Sequence, residues 1–245
     1  MGPLYFCLVF GELLEYLKSE LVLGYLDDVA VDDTTEIVLK DFILLESTAT
    51  RLGLEIKRSK CEVIGHTDKS RTLFKSYDAD LPETSSASVV FLGSPMSAGH
   101  HLDSVLAAKT EEIQRLTRRL ELLPSHDSLF LLRNVLAAPR LMYLLRTAPC
   151  CESLQLPKYD AVLRDSLSVT LNVDIDEHRW AQASQPVRWG GMGVRSAVLL
   201  APSAYLASAA STTELTSSFL LVRLRDVMDS GIASATFAWL RLANY

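Results

Sequence analysis

The sequence predicts an α+β chain, a small antiparallel sheet with helices followed by a mostly α-helical remainder, and three observations carry that prediction. Two short apolar runs, LVLGYL and VAV, are separated only by Asp27 and Asp28, which is hairpin spacing. Apolar residues at Val38, Phe42, Leu45, Ala49 and Leu52 then recur at the helical period and stop at Gly53, a residue suited to the position just past a helix. From Asp103 the pattern is helical almost to the end, with breaks at Pro124, Pro139, Pro149, Pro157, Pro186 and the stretch WGGMG.

Taken in order, Pro3 suits a first helical turn, and the segment after it reads as helix to about Leu17 and Lys18. The hairpin follows, with both aspartates at its tip, and Asp33 is placed to cap the next helix. LEI and CEVIG alternate like strands, the polar stretch 66–88 that opens on His66 reads as an irregular insertion, and VVFLG reads as a short strand ending at Gly93. No internal repeat is visible, and the one biased tract is the Ser/Ala-rich run 207–218.

At 245 residues, 49% hydrophobic and mean hydropathy +0.17, the chain has the composition of a globular protein. Its four cysteines show no CxxC spacing, which fits a reducing intracellular compartment. The apolar N-terminal segment lacks a basic flank and is interrupted by Glu12 and Glu15, so neither a signal peptide nor a membrane span is expected. Gly2 does not open a myristoylation motif, because position 6 is Phe6. Net charge is -6, unevenly spread: residues 1–50 hold ten acids against Lys18 and Lys40, hence -8, and the remainder is +2. Such a pole is either solvated surface or a metal site facing a polyanion. Adjacent carboxylates pose the same choice at Asp27 and Asp28, since they are costly to desolvate unless a cation sits between them or water reaches them.

The tetrapeptide YLDD, residues 25–28, resembles the YxDD signature of reverse transcriptases. Upstream, MGPLYFCLV is similar to the end of that family's nucleotide-pocket segment. Downstream, LGLEIKRSKCEVIG resembles the segment after the palm helix, and VVFLGS resembles the hairpin that grips the primer. All four stand in the family's order. The helical stretch after Asp103 lies where a thumb would follow, and RWAQASQPVRWGGMGVRSAVLLAPSAYLASA is similar to a segment C-terminal to the polymerase in some retroelement-derived proteins.

The resemblance implies a partial palm over 1–101, thumb-like helices over 102–149 and a C-terminal helical region over 150–245. It implies RNA-directed DNA synthesis by two-metal nucleotidyl transfer on an RNA template and a DNA primer, with Mg²⁺ or Mn²⁺ as cofactor. Asp27 and Asp28 are then the metal-binding catalytic carboxylates, with Asp27 the principal ligand because alternation in a strand would put Tyr25 and Asp27 on one face and send Asp28 to the other. Lys60 occupies the place of a lysine that protonates the leaving pyrophosphate, although in KRSK it equally reads as an exposed lysine. Tyr25, Phe91, Leu92 and Gly93 are placed to contact nucleic acid. Arg115, Arg118 and Arg119 either face phosphates or pair with Glu111, Glu112 and Glu121 at helical spacing. Fingers and the first metal-binding strand have no counterpart in the sequence, and Asp32 and Asp33 do not obviously substitute, so a fragment inactive by itself is expected, self-associating through an exposed palm edge. The alternative is a non-enzymatic helical interaction protein of retroelement origin. GHHLD is either a metal site or, as paired histidines before a helix more often are, a loop and an N-cap at Asp103, and GGMG reads as a turn capped by Ser196.

Overall fold

A computed structural model describes residues 2–65, 68–78, 80–219 and 229–243. Pro3, whose missing N–H costs nothing in a first turn, opens helix α1 (Gly2–Leu14). Strands β1 (Leu21–Tyr25) and β2 (Asp28–Asp32) form the expected antiparallel hairpin, with Leu21 opposite Asp32 and Tyr25 opposite Asp28. Val22, Val29 and Val31 share one face and pack toward a small core of Phe10, Leu13, Leu17 and Leu45. The amphipathic helix is α2 (Thr35–Arg51), and Gly53 follows it with φ 75°, a left-handed conformation that glycine tolerates.

Several expectations need correcting in this region. Thr34, not Asp33, stands at the N-cap of α2, because the Asp33 carboxylate takes the backbone N–H of Glu20 (2.8 Å) and of Thr34. Leu52, expected on the apolar stripe, is exposed, and the buried stripe instead includes Asp41. LEI and CEVIG do not form strands. Leu54 and Ile56 pack on the small core, Arg58–Lys60 is a 3₁₀ turn, and the strand-like pairing there among the described residues is a bridge between Val63 and Glu83. Alternation is present, but no neighbouring strand offers these residues a ladder. The polar stretch 66–88 contains helix α3 (Asp68–Tyr77); its residues 66, 67 and 79 lie outside the described residues. Ion pairs hold α3, with Arg71 and Lys75 on Glu83 and Lys69 on Glu36, while Phe74 is its buried residue. Strand β3 (Val90–Phe91) is shorter than expected and turns at Leu92 (φ 49°) and Gly93 (φ 79°) into β4 (Ser94–Pro95). Two successive positive φ values are the mark of a type I′ hairpin turn.

The chain divides into two compact units, Met1–Leu92 and Gly93–Tyr245. Beyond β4 the regular elements of the second, among the described residues, are helical: α4 (His100–Leu120), α5 (Ser125–Leu131), α6 (Ala138–Thr147), α7 (Gln155–Leu171), α8 (Glu177–Ala183), α9 (Ala197–Phe219) and α10 (Ser230–Ala243). Helical expectations for 220–228 and 244–245 lie outside the described residues. The whole is therefore α+β with helices dominant. Residues of 102–149 and of 150–245 share one core, in which Leu106, Ile113 and Leu141 join Tyr159, Leu163, Val194 and Ala201. Pro124 stands at the N-cap of α5 and Pro139 in the first turn of α6. Pro157 is no break; it falls in the first turn of α7, where no intrahelical N–H is needed.

Between α5 and α6 the residues Leu132–Leu136 wind as a π-helix, with the Ala137 N–H reaching the Leu132 carbonyl at 2.9 Å. The buried Tyr159 hydroxyl lies 2.9 Å from the Leu136 carbonyl and 3.1 Å from that of Ala137, satisfying a backbone that the helix break would leave bare. Ser196, expected to cap the turn of the GGMG glycines, stands instead just before α9, its hydroxyl accepting the Leu199 N–H. α4 starts at His100, so Asp103 lies inside its first turn and accepts the Ser153 hydroxyl instead of capping.

Candidate functional site

The aspartate pair sits where a two-residue turn closes the hairpin, but the two residues are not equivalent. Leu26 and Asp27 form the turn, and Asp28 is already the first residue of β2, opposite Tyr25. Leu26 has φ 55°, a conformation that costs a residue with a branched side chain about 1 kcal/mol. Residues 25–28 are all exposed, and the carboxylates of Asp27 and Asp28 have no hydrogen-bond or ion-pair partner among the described residues. Pairing puts Asp28 on the same face as Tyr25, opposite to the Val22, Val29 and Val31 face, so the expected sharing of a face by Tyr25 and Asp27 is replaced by one between Tyr25 and Asp28.

A hard divalent cation seeks six or more oxygens. Asp32 lies on the same face as Asp28 but four residues along β2, on the order of 13 Å away. Asp33 is occupied by backbone N–H groups, and so is buried Asp41, which takes the Lys18 N–H on both oxygens (3.1 and 2.9 Å) and the Ser19 N–H and hydroxyl (2.7 and 2.6 Å). Among the described residues no three His, Cys, Asp or Glu side chains gather closely enough to hold a metal. Asp27 and Asp28 are thus the two carboxylates at the tip, and a cation held there would take the rest of its shell from water or substrate phosphate.

Lys60 ends the 3₁₀ turn with an exposed side chain that pairs with neither aspartate. Its neighbour Arg58 carries the ion pairs of that turn, to Glu46 (2.6 Å) and Asp78 (2.7 Å), and the guanidinium holds the Glu46 carboxyl below the usual range. Phe91 is half-buried at the end of β3, while Leu92 and Gly93 form the exposed turn that follows. No protein-family profile, no curated protein and no solved structure matches the chain.

Arg115, Arg118 and Arg119 lie on one exposed side of α4, and none takes part in an ion pair among the described residues. Glu112, a proposed partner, is occupied by Lys109 (3.0 Å) and Arg140 (2.6 Å). Arg115 still lies near enough to Glu112 to help hold that carboxyl below its usual range, while Arg118 and Arg119 extend the basic side toward the end of the helix.

Sequence reasoning missed two buried carboxylates. Besides Asp41, Asp160 on α7 is buried and accepts the Ser196 hydroxyl and the N–H groups of Ala197 (2.7 Å) and Val198 (3.3 Å), a cap supplied to α9 from a distant helix. Burial raises its pKa above the ordinary carboxylate value, and these hydrogen bonds partly oppose the rise. Trp189 was read only as part of a turn, yet it is 65% exposed beneath the Arg188 guanidinium, 4.8 Å from its ring centre.

Proposed function

We propose that this chain is a piece of a retroelement reverse transcriptase, part of the palm with the following thumb-like and C-terminal helices, and that it does not carry nucleotidyl transfer by itself. The observation that supports the reading best is the hairpin: YLDD lies across a two-residue turn that leaves both carboxylates exposed and free of protein partners. In a parent polymerase such a tip would share Mg²⁺ with a further carboxylate; here the described residues bring none beside it. Contact with an RNA template and DNA primer would come from Tyr25, from the Phe91, Leu92 and Gly93 turn, and from Arg115, Arg118 and Arg119. All four cysteines are free thiols, consistent with an intracellular setting.

Primer extension on a primed RNA template, with Mg²⁺ or Mn²⁺, tests the reading. No nucleotide incorporation by the 245-residue chain is expected. Extension that disappears in Asp27→Ala would overturn the inactive assignment. Binding to the same duplex should be weak and steeply salt-dependent, and reversing the charge of Arg115, Arg118 and Arg119 together should lower the salt slope by about three. An unchanged slope would return these arginines to ordinary solvated surface.

The second reading, a non-enzymatic helical interaction protein, is favoured by one observation. Leu4, Tyr5, Leu8 and Val9 on α1 all lie exposed. Such a surface is typical of a protein that covers it with a partner.

A further inference from the structure

The loop before α9 carries a feature that the polymerase reading leaves unused. Gly191 N–H donates to the Pro186 carbonyl (3.2 Å), Met192 N–H to Ala183 (2.9 Å) and Gly193 N–H to Gln185 (3.0 Å), so the loop is pinned to the end of α8 by its own backbone. Its glycines are required there. A Cβ on Gly191 would meet the Gln185 carbonyl oxygen at 2.1 Å, and Gly193 has φ 76° with the Arg133 Nε at 3.0 Å from where its Cβ would stand. This rigid loop holds up Trp189, 65% exposed, with the Arg188 guanidinium over one face of the indole. The residue is thus held out to solvent.

Charge along this part of the chain is one-sided. Between Glu177 and Glu214 the chain contains Arg179, Arg188 and Arg195 and no acid, in a protein of net charge -6. Arg133 joins from the π-helical segment, placed beside Gly193. Arg133, Arg188 and Arg195 are exposed and have no ion-pair partner among the described residues. The nearest carboxylate in the cap of α9, Asp160, is buried and occupied by Ser196, Ala197 and Val198.

We propose that Trp189, with Arg188, Arg133 and Arg195, forms a binding site for single-stranded nucleic acid. A base stacks on the indole, extending the Arg188–Trp189 stack, and the flanking arginines neutralise the phosphates on either side. Such a site accepts any base, because every base offers a π-face. It does not rest on the palm reading, and it uses no residue assigned to that reading.

Oligothymidylate titrated into the full chain at low and moderate salt tests the site, read by fluorescence anisotropy of a labelled strand and by quenching of tryptophan emission. Trp189→Ala is expected to weaken binding ~5- to 100-fold, the range for one stacked base, while Trp189→Phe retains most of the affinity and loses most of the quench. Arg133→Ala with Arg195→Ala should lower the salt slope by about two. Inorganic polyphosphate, which has charge but no bases, should bind Trp189→Ala as well as it binds the unaltered chain. Equal affinity of the unaltered chain and both Trp189 variants for oligothymidylate would overturn the proposal. So would equal quenching by polyglutamate, which would make the partner an acidic peptide. The variant with Arg115, Arg118 and Arg119 reversed separates the two surfaces: quenching retained there supports the loop site whatever becomes of the polymerase reading, and quenching abolished there overturns the loop site alone.

Discussion

Four aspartates divide by what their oxygens touch. Asp41 and Asp160 are buried and saturated with hydrogen bonds from backbone and serine, whereas Asp27 and Asp28 are exposed with no such partner. The first pair holds the fold, and only the second is free to meet a ligand. Asp160→Ala should cost about 3 kcal/mol, since it strips a buried charge-assisted cap from α9, and a denaturation midpoint would measure it. The pH dependence has a definite sign. Burial raises the Asp160 pKa in the folded chain, so the native state binds the proton more tightly; its stabilising contribution is complete below the ordinary carboxylate value and is lost as pH rises through the raised one. Against Asp160→Asn, the unaltered chain should therefore gain relative stability on acidification. Burial likewise pushes the Cys150 thiol up to about 12 and Cys151 to about 11, so alkylation of the folded chain at neutral pH should label exposed Cys7 and spare Cys150. None of these burials was legible in the sequence. Asp41 caps residues 18 and 19, more than twenty positions away, and no local pattern announces so distant a partner.

Elements were legible where apolar periodicity and turn chemistry agreed. The α2 stripe and its Gly53 stop, the β1–β2 hairpin and the proline-bounded helices after β4 all carry both signals. Where one was missing the reading failed: α3 has a single buried residue and is fixed by ion pairs, and LEI and CEVIG alternate without a strand to join. Part of the candidate site was readable for the same reason, since the hairpin spacing located Asp27 and Asp28. The division of roles between them was not, because it depends on which residues make the turn. Replacing Leu26 by Asn, which tolerates a left-handed backbone, should stabilise the hairpin by about 1 kcal/mol, seen as slower amide exchange in β1 and β2. Self-association, if it runs through this ribbon, should use the β1 edge. β1 has no charged residue, whereas β2 carries Asp28 and Asp32 at its two ends, which would repel a second copy. Leu23→Lys, on the face away from the small core, should then reduce any dimer seen by sedimentation, and Ala30→Lys on the opposite strand should reduce it less.

At the scale of the whole molecule the two units differ in how much they bury. Among the described residues, four make the core cluster of the first, while the second gathers twenty-two. Burial on that scale sets the free energy of local opening. Amides of 2–65 should exchange much faster than those of α4, α6 and α7, as hydrogen exchange read by mass spectrometry would report. A chain beginning at Gly93 should keep a cooperative thermal transition, because the described residues of its core cluster start at Leu102 and the buried Ser94 and Pro95 of β4 are retained.

The π-helical turn between α5 and α6 makes the chain length itself negotiable at one place. A π turn is an α-helix that has absorbed one additional residue, and the addition can be taken out again. Leu132 and Leu136 are buried four positions apart, and removing the exposed Asn134 would leave them three apart, which on an α-helix is still one side. Deletion of Asn134 should therefore lower the melting temperature by only a few degrees, whereas deletion of a residue such as Val162, in the middle of α7, would rotate Leu163 and Leu167 away from Tyr159 and Leu156 and abolish the transition. Natural variants of this sequence that differ in length would be expected to gain or lose their residue here.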